Sequence, residues 1–262
     1  MERYRRGRGK KAILGSHQKC WLWGRNLVLE TLSAGRWTIL ELALSADLTE
    51  AAREPCTRLA QQAGVPVQVL PDSELTRRCR SQEHQGYLAK MVEFPYADAA
   101  GVLDAIALTP LLGIADGMQD PYNFGAIIRS AEVFGVHALF IGEKGQVGVT
   151  SMVARSSAGA VNRIPIARTP DLVELAGNLK ARGVRVVAAT EKARLPLSAF
   201  DFRGAVAIVI GNEGRGISDP LLRACDETLR IPQVGAIGSL NAAVAASIFF
   251  YEARRQRDTA DA

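Results

Sequence analysis

Between Ala205 and Glu252 the chain reads AVAIVIGNEGRGISDPLLRACDETLRIPQVGAIGSLNAAVAASIFFYE, and two glycine-bearing loops in it carry side chains suited to holding a ligand. Gly211, Gly214 and Gly216 surround Asn212 and Glu213, and Gly235 and Gly238 precede Ser239, Leu240 and Asn241. Glycine lets backbone N–H and C=O groups approach a bound molecule closely. The amides, the hydroxyl and the carboxylate beside them orient such a molecule by hydrogen bonds. Taken alone, Ser239 reads as the N-cap of the helix that follows. The four polar residues together describe a binding site. Its glycine order, G211-x-x-G214-x-G216, is not the dinucleotide G-x-G-x-x-G and lies far from a first βα turn, which discounts a nicotinamide enzyme.

The elements that must position these loops follow from the apolar pattern. Val206–Ile210 is a continuous β-branched run, suited to a strand buried on both faces. A short helix, a strand over Thr228–Ile231 stopped by Pro232, and a closing helix from about Leu240 come next. Two glycine loops leaving the same ends of parallel strands are where an open α/β sheet holds its ligand. Upstream, strands are expected at Leu111–Ala115, Ala138–Ile141, Ile164–Ala167 and Val184–Ala189. Helices are expected at Phe124–Phe134, with Asn123 as N-cap, at Val149–Ala160 and at Asp171–Arg182. This alternation predicts a parallel sheet. Residues 12–96 show a shorter alternation: helices at Gly24–Ala34, Thr49–Ala63 and from Asp72, strands at Ile39–Leu44, Pro66–Leu70 and Leu88–Phe94. The expected organisation is a basic arm over residues 1–11, a small α/β domain over 12–96, a connection over 97–110 and a larger α/β domain over 111–258.

Composition narrows the partners. The 262 residues are 48% hydrophobic and 23% charged, ordinary for a folded protein with a substantial core. Net charge is +5, and residues 1–11 (MERYRRGRGKK) alone hold six Lys/Arg against one Glu, so the rest of the chain sums to zero. A glycine-containing basic arm without apolar periodicity suits contact with nucleic acid. Cys20, Cys56, Cys79 and Cys225 are scattered, as are His17, His84 and His137, so no metal site is expected. Isolated thiols without a secretory signal fit the cytoplasm. The longest apolar run, Ala242–Tyr251, is too short to span a bilayer.

The motifs in order resemble a known family. Asp116–Gly135, with Asp120-Pro121, Asn123, Gly125 and Arg129, is similar to the first motif of the SpoU/TrmH ribose methyltransferases of the SPOUT superfamily. Val209–Gly216 (VIGNEGRG) resembles the second, Ile231–Val244 (IPQVGAIGSLNAAV) the third, and Ser157–Ala160 also matches. Gln119, Ile217-Ser218 and Gly238 depart from the usual wording without removing a chemical group. The resemblance implies a trefoil-knotted catalytic domain that binds S-adenosylmethionine through Gly211, Asn212, Gly216, Ile231 and Leu240. It places Asn123, Arg129, Glu213, Ser239 and Asn241 at the catalytic site for methylation of a ribose 2′-hydroxyl. Guanidinium holds its proton far above neutral pH, so Arg129 is expected to clamp an RNA phosphate. Glu213 is expected to order Arg129 or its own loop.

The N-terminal domain resembles the ribosomal-protein-like substrate domain of the ribosomal RNA members, which implies a guanosine in large-subunit ribosomal RNA. A tRNA methyltransferase and a non-catalytic assembly factor are the alternatives. The family also implies a homodimer formed through the closing helix. The Arg254-Arg255-Arg257 cluster is expected to bind phosphates without reading sequence.

Overall fold

The computed structural model describes residues 14, 20–105, 109–235 and 238–259; the basic arm lies outside the described residues. The chain forms two compact units, Met1–Pro95 and Tyr96–Ala262. The first contains β1 (Trp21–Trp23), α1 (Arg25–Ala34), β2 (Ile39–Ser45), α2 (Glu50–Gln62), β3 (Val67–Leu70), α3 (Asp72–Cys79) and β4 (Tyr87–Met91). Its sheet runs β1-β4-β2-β3, with β2 and β3 parallel and the other pairs antiparallel. Local signals set the helix ends. Gly35 closes α1 at φ 61°, and the Thr49 side chain caps α2 by accepting from Ala52 N–H. Leu22, Leu42, Leu44, Leu75 and Leu88 are fully buried. The buried Trp37 meets Phe94 edge-on at 5.1 Å and donates its indole N–H to the Val92 carbonyl.

The second unit contains β5 (Ala97–Asp98), α4 (Ala99–Ala105), β6 (Leu111–Asp116), α5 (Pro121–Val133), β7 (Ala138–Gly142), α6 (Ser151–Ser156), β8 (Ile166–Thr169) and α7 (Leu172–Ala181). It continues with β9 (Arg185–Ala189), β10 (Leu195–Pro196), β11 (Val206–Gly211), α8 (Asp219–Ala224), β12 (Glu227–Arg230) and α9 (Ala242–Asp258). Eight strands lie in the order β10-β12-β9-β11-β6-β7-β8-β5, every pair parallel. The segment expected as a connection, residues 97–110, supplies β5 and α4; β5 pairs with β8 and Leu103 of α4 joins the core.

Phe140, Ile114, Val209, Leu112 and Leu179 fill that core at almost no exposure, each contributing roughly 1.5–3 kcal/mol. Close helix packing depends on Gly125 of α5. A Cβ there would stand 1.8 Å from Ser156 Oγ of α6. The register of the central strands matters most for function. β11 pairs with β6 residue for residue from Val206↔Leu111 to Gly211↔Asp116, so the loops leaving both strands start side by side.

Candidate active site

The loop after β11 is built by its own polar groups. Asn212 and Gly216 exchange backbone hydrogen bonds of 3.0 and 2.9 Å, closing a tight turn in which Gly216 takes φ 72°. Asn212 Oδ1 accepts from the N–H groups of Gly214 (2.9 Å) and Arg215 (3.1 Å), while its Nδ2 donates to the Gly117 carbonyl at 2.7 Å. At the far end of the loop, Asp116 Oδ2 accepts from Ser218 N–H at 2.7 Å. The chain returns directly over Gly211, where a Cβ would lie 2.3 Å from the backbone of Gly216 and Ile217.

Three side chains expected in catalysis form one chain of hydrogen bonds. Asn241 Nδ2 donates to Asn123 Oδ1 at 2.9 Å, and Asn123 Nδ2 donates to Glu213 Oε1 at 2.7 Å. Two capping expectations are corrected here. Helix α5 starts earlier than expected, with Asp120 as N-cap accepting from Tyr122 N–H and Pro121 in the first turn. Asn123 therefore lies inside the first turn, and its amide is released to reach Glu213 and Asn241. Helix α9 is capped by Asn241, whose Oδ1 accepts from Ala243 and Val244 N–H, and Ser239 is left outside the helix. Asn241 thus fixes one end of its amide on the helix and presents the other to the site. Glu213 pairs with Asn123; it makes no bond to Arg129.

Beside this chain lies an open cleft of about 520 Å³. Gly211, Asn212, Glu213, Gly216, Ile231, Ser239, Leu240 and Asn241 all line it, together with the apolar Ile210 and Phe249. Asn123 and Arg129 are not in its wall. Asn123 touches it through Glu213 and Asn241. Arg129, six residues further along α5, is exposed and makes no ion pair among the described residues. Ala189–Lys192, Asp219 and Gln233 also line the cleft and were missed by the sequence. The signal for the first group is positional: β9 is the sheet neighbour of β11, so its exit loop opens onto the same space.

Each arginine of the basic cluster on α9 has a partner in the fold. Arg254 pairs with Asp258, and Arg255 with Glu252. Arg257 sends its guanidinium to the carbonyls of Phe202, Thr109, Pro110 and Gly204. Arg257 is thereby held by the fold, while Arg254 and Arg255 remain about half exposed. Burial, with help from Asp226, pushes the Cys225 thiol up to about 11, which removes it as a nucleophile at neutral pH. Among the described residues there is no His/Cys/Asp/Glu group able to hold a metal, and no helix is long and apolar enough to cross a membrane.

Comparison with known proteins matches both parts of the chain. The SpoU rRNA Methylase family matches residues 110–251, and the RNA 2′-O ribose methyltransferase substrate binding family matches residues 21–97. The protein named a TrmH family tRNA/rRNA methyltransferase, YacO, of Bacillus subtilis is 32% identical over 246 residues, covering 93% of this chain and 98% of that one. A Mycobacterium marinum protein named a tRNA/rRNA methyltransferase is 37% identical over 239 residues, covering 90% of this chain and 77% of its own. Among solved structures, the SpoU methyltransferase AviRb of Streptomyces viridochromogenes, in complex with AdoMet, superposes with a TM-score of 0.79 at 28% identity over 94% of this chain and 96% of that one. An AdoMet-bound rRNA methyltransferase of Sinorhizobium meliloti gives 0.77 at 27% identity, covering 91% and 87%. With both of its units matched in order, the chain belongs to the SpoU family of RNA methyltransferases, enzymes that use S-adenosylmethionine.

Proposed function

We propose that this chain methylates the 2′-hydroxyl of a guanosine ribose in large-subunit ribosomal RNA, acting as a homodimer in the cytoplasm. The observation that carries the reading is the Asn241–Asn123–Glu213 chain on the edge of the cleft. The cleft fits the cofactor: its volume falls in the range of small-molecule sites, and its walls combine loop backbone with apolar side chains. Gly211, Gly216, Ile231 and Leu240 would hold S-adenosylmethionine, largely through backbone groups. Asn212 helps by shaping the loop. The cofactor supplies a methyl group already activated for transfer.

What remains for the protein is alignment and the proton. Asn123 and Asn241 orient the hydroxyl, with Ser239 beside them. Glu213 is the group in this set able to accept the proton as the new O–CH₃ bond forms, since the Arg129 guanidinium is already fully protonated. Arg129, exposed and without a carboxylate partner among the described residues, clamps a phosphate next to the target ribose. The dimer reading rests on the outward faces of two packed helices. Tyr122 and Val133 of α5 and Val244 and Tyr251 of α9 are 59%, 64%, 47% and 53% exposed, while Ser130 and Ser247 join the helices underneath. The knotted topology draws support from the strand order: the chain leaves β11, passes to β12 on the far side of β9, then returns as α9 against α5.

Transfer of tritiated methyl groups from S-adenosylmethionine to unmodified total RNA, fractionated by size, tests the function. Label is expected in large ribosomal RNA as a single 2′-O-methyl stop. Label confined to tRNA would keep the chemistry and overturn the substrate. Retained RNA binding with no transfer would support an assembly factor instead. Deleting residues 1–11 is expected to weaken RNA binding and flatten its salt dependence, because fewer counterions are released. An unchanged slope would reduce the arm to a tail.

A further inference from the structure

Two polar side chains near the cleft are engaged chiefly with backbone. Asp116 ends β6 and Asn212 follows β11, two strands in register at Gly211↔Asp116. Each side chain crosses to the other strand's exit loop. Asp116 accepts from Ser218 N–H at 2.7 Å, fixing the end of the glycine loop. Asn212 donates to the Gly117 carbonyl at 2.7 Å, fixing its start. Both Asn212 amide ends are engaged, since Oδ1 already serves Gly214 and Arg215. Its side chain is therefore committed mainly to the loop, with one Nδ2 hydrogen left over.

The two ties close a circuit. From Gly117 the chain runs through Met118, whose N–H is held by Gln146 Oε1 at 2.8 Å, to Asp120, the cap of α5. Helix α5 then carries Asn123, which donates to Glu213 in the same glycine loop from which the ties began. The loop that faces the cofactor and the helix that faces the ribose are thus joined at both ends of one ring of contacts.

We propose that Asp116 and Asn212 are positioning residues that hold Glu213 and Asn123 in register with each other, so that cofactor seated on the glycine loop settles the groups that align the ribose. The inference rests on the methyltransferase reading above. It predicts that the two residues differ in a way their similar size conceals. Asp116→Asn keeps an amide oxygen able to accept from Ser218 N–H. Asn212→Asp keeps its two acceptor bonds but turns a carboxylate oxygen onto the Gly117 carbonyl, exchanging an attraction for a repulsion.

The test is steady-state methylation by the full-length protein, with S-adenosylmethionine binding measured by calorimetry and RNA binding measured with and without cofactor. Asn212→Asp is expected to lower kcat roughly 10- to 100-fold, as a misplacement of reacting groups by about an ångström would. Asp116→Asn should lose much less, and Asp116→Leu should fall with Asn212→Asp. Wild type should bind RNA more tightly when cofactor is present, and Asn212→Asp should lose that difference while still melting in one cooperative transition as a folded protein. Wild-type kcat in Asn212→Asp, or an Asp116→Asn as damaged as Asp116→Leu, would overturn the positioning role. A wild-type protein whose RNA affinity ignores cofactor would overturn the coupling. Absence of cofactor binding or transfer by wild type is the separate result that would sink the methyltransferase reading itself.

Discussion

The two loops that border the cleft are made differently. Residues 211–218 are held by reciprocal backbone bonds and by side chains from β6 and from within the loop. Residues 232–235 and 238–240, which lead from β12 to α9, make no hydrogen bond among the described residues, and Val234 is fully exposed. The first loop is closed by its own hydrogen bonds; the second supplies Ser239 and Leu240 from exposed residues. Preorganised donors cost no rearrangement at the moment of reaction. Glu213 sits on the loop that is closed by its own bonds.

The largest test of that difference is Gly211→Ala. Its Cβ would collide with loop backbone at 2.3 Å, so cofactor binding and turnover should both be lost by calorimetry and methyl transfer. Normal binding would break the comparison. Next comes Arg129→Ala, which lies outside both loops: turnover should fall on the order of 100-fold with cofactor affinity spared. Unchanged turnover would remove Arg129 from the mechanism. Asn241→Ala should lose about 1 kcal/mol as a missing helix cap, seen in chemical denaturation, together with a drop in kcat as Asn123 loses its partner. Gly235→Ala should be the mildest, within about 0.5 kcal/mol of wild type, because no atom lies within 4 Å of the new Cβ. Hydrogen exchange sharpens the contrast: the Gly214 and Arg215 amides should be protected without cofactor, whereas those of Gln233–Gly235 should slow only on its addition.

Much of this was legible in the chain. Apolar runs marked β6, β7 and β11, and glycines marked the loops, because buried parallel strands and tight turns leave composition signals. Short strands were missed. β1 is three residues with two tryptophans, and β5 and β10 are two residues each, lengths at which alternation carries no information. The caps were misassigned for a different reason. Asp120 and Asn123 are both good N-cap residues, as are Ser239 and Asn241, and sequence cannot choose between candidates two or three positions apart. Tertiary contact decides, since the freed amide of Asn123 finds Glu213 ninety residues away. Arg257 was equally opaque: its partners are backbone carbonyls, which no side-chain pattern records.

That last arginine gives α9 a mechanical character. Its guanidinium clamps the helix to Pro110 and Gly204, just before β6 and β11 begin, while Asn241 meets the site where those strands end. The 17-residue helix is therefore a strut of about 25 Å, fixed at its base and set in phase at its tip. One alanine inserted at its midpoint would advance Asn241 by about 1.5 Å and rotate it by about 100°. Every residue of the site would still be present, and Asn241 would point away from Asn123.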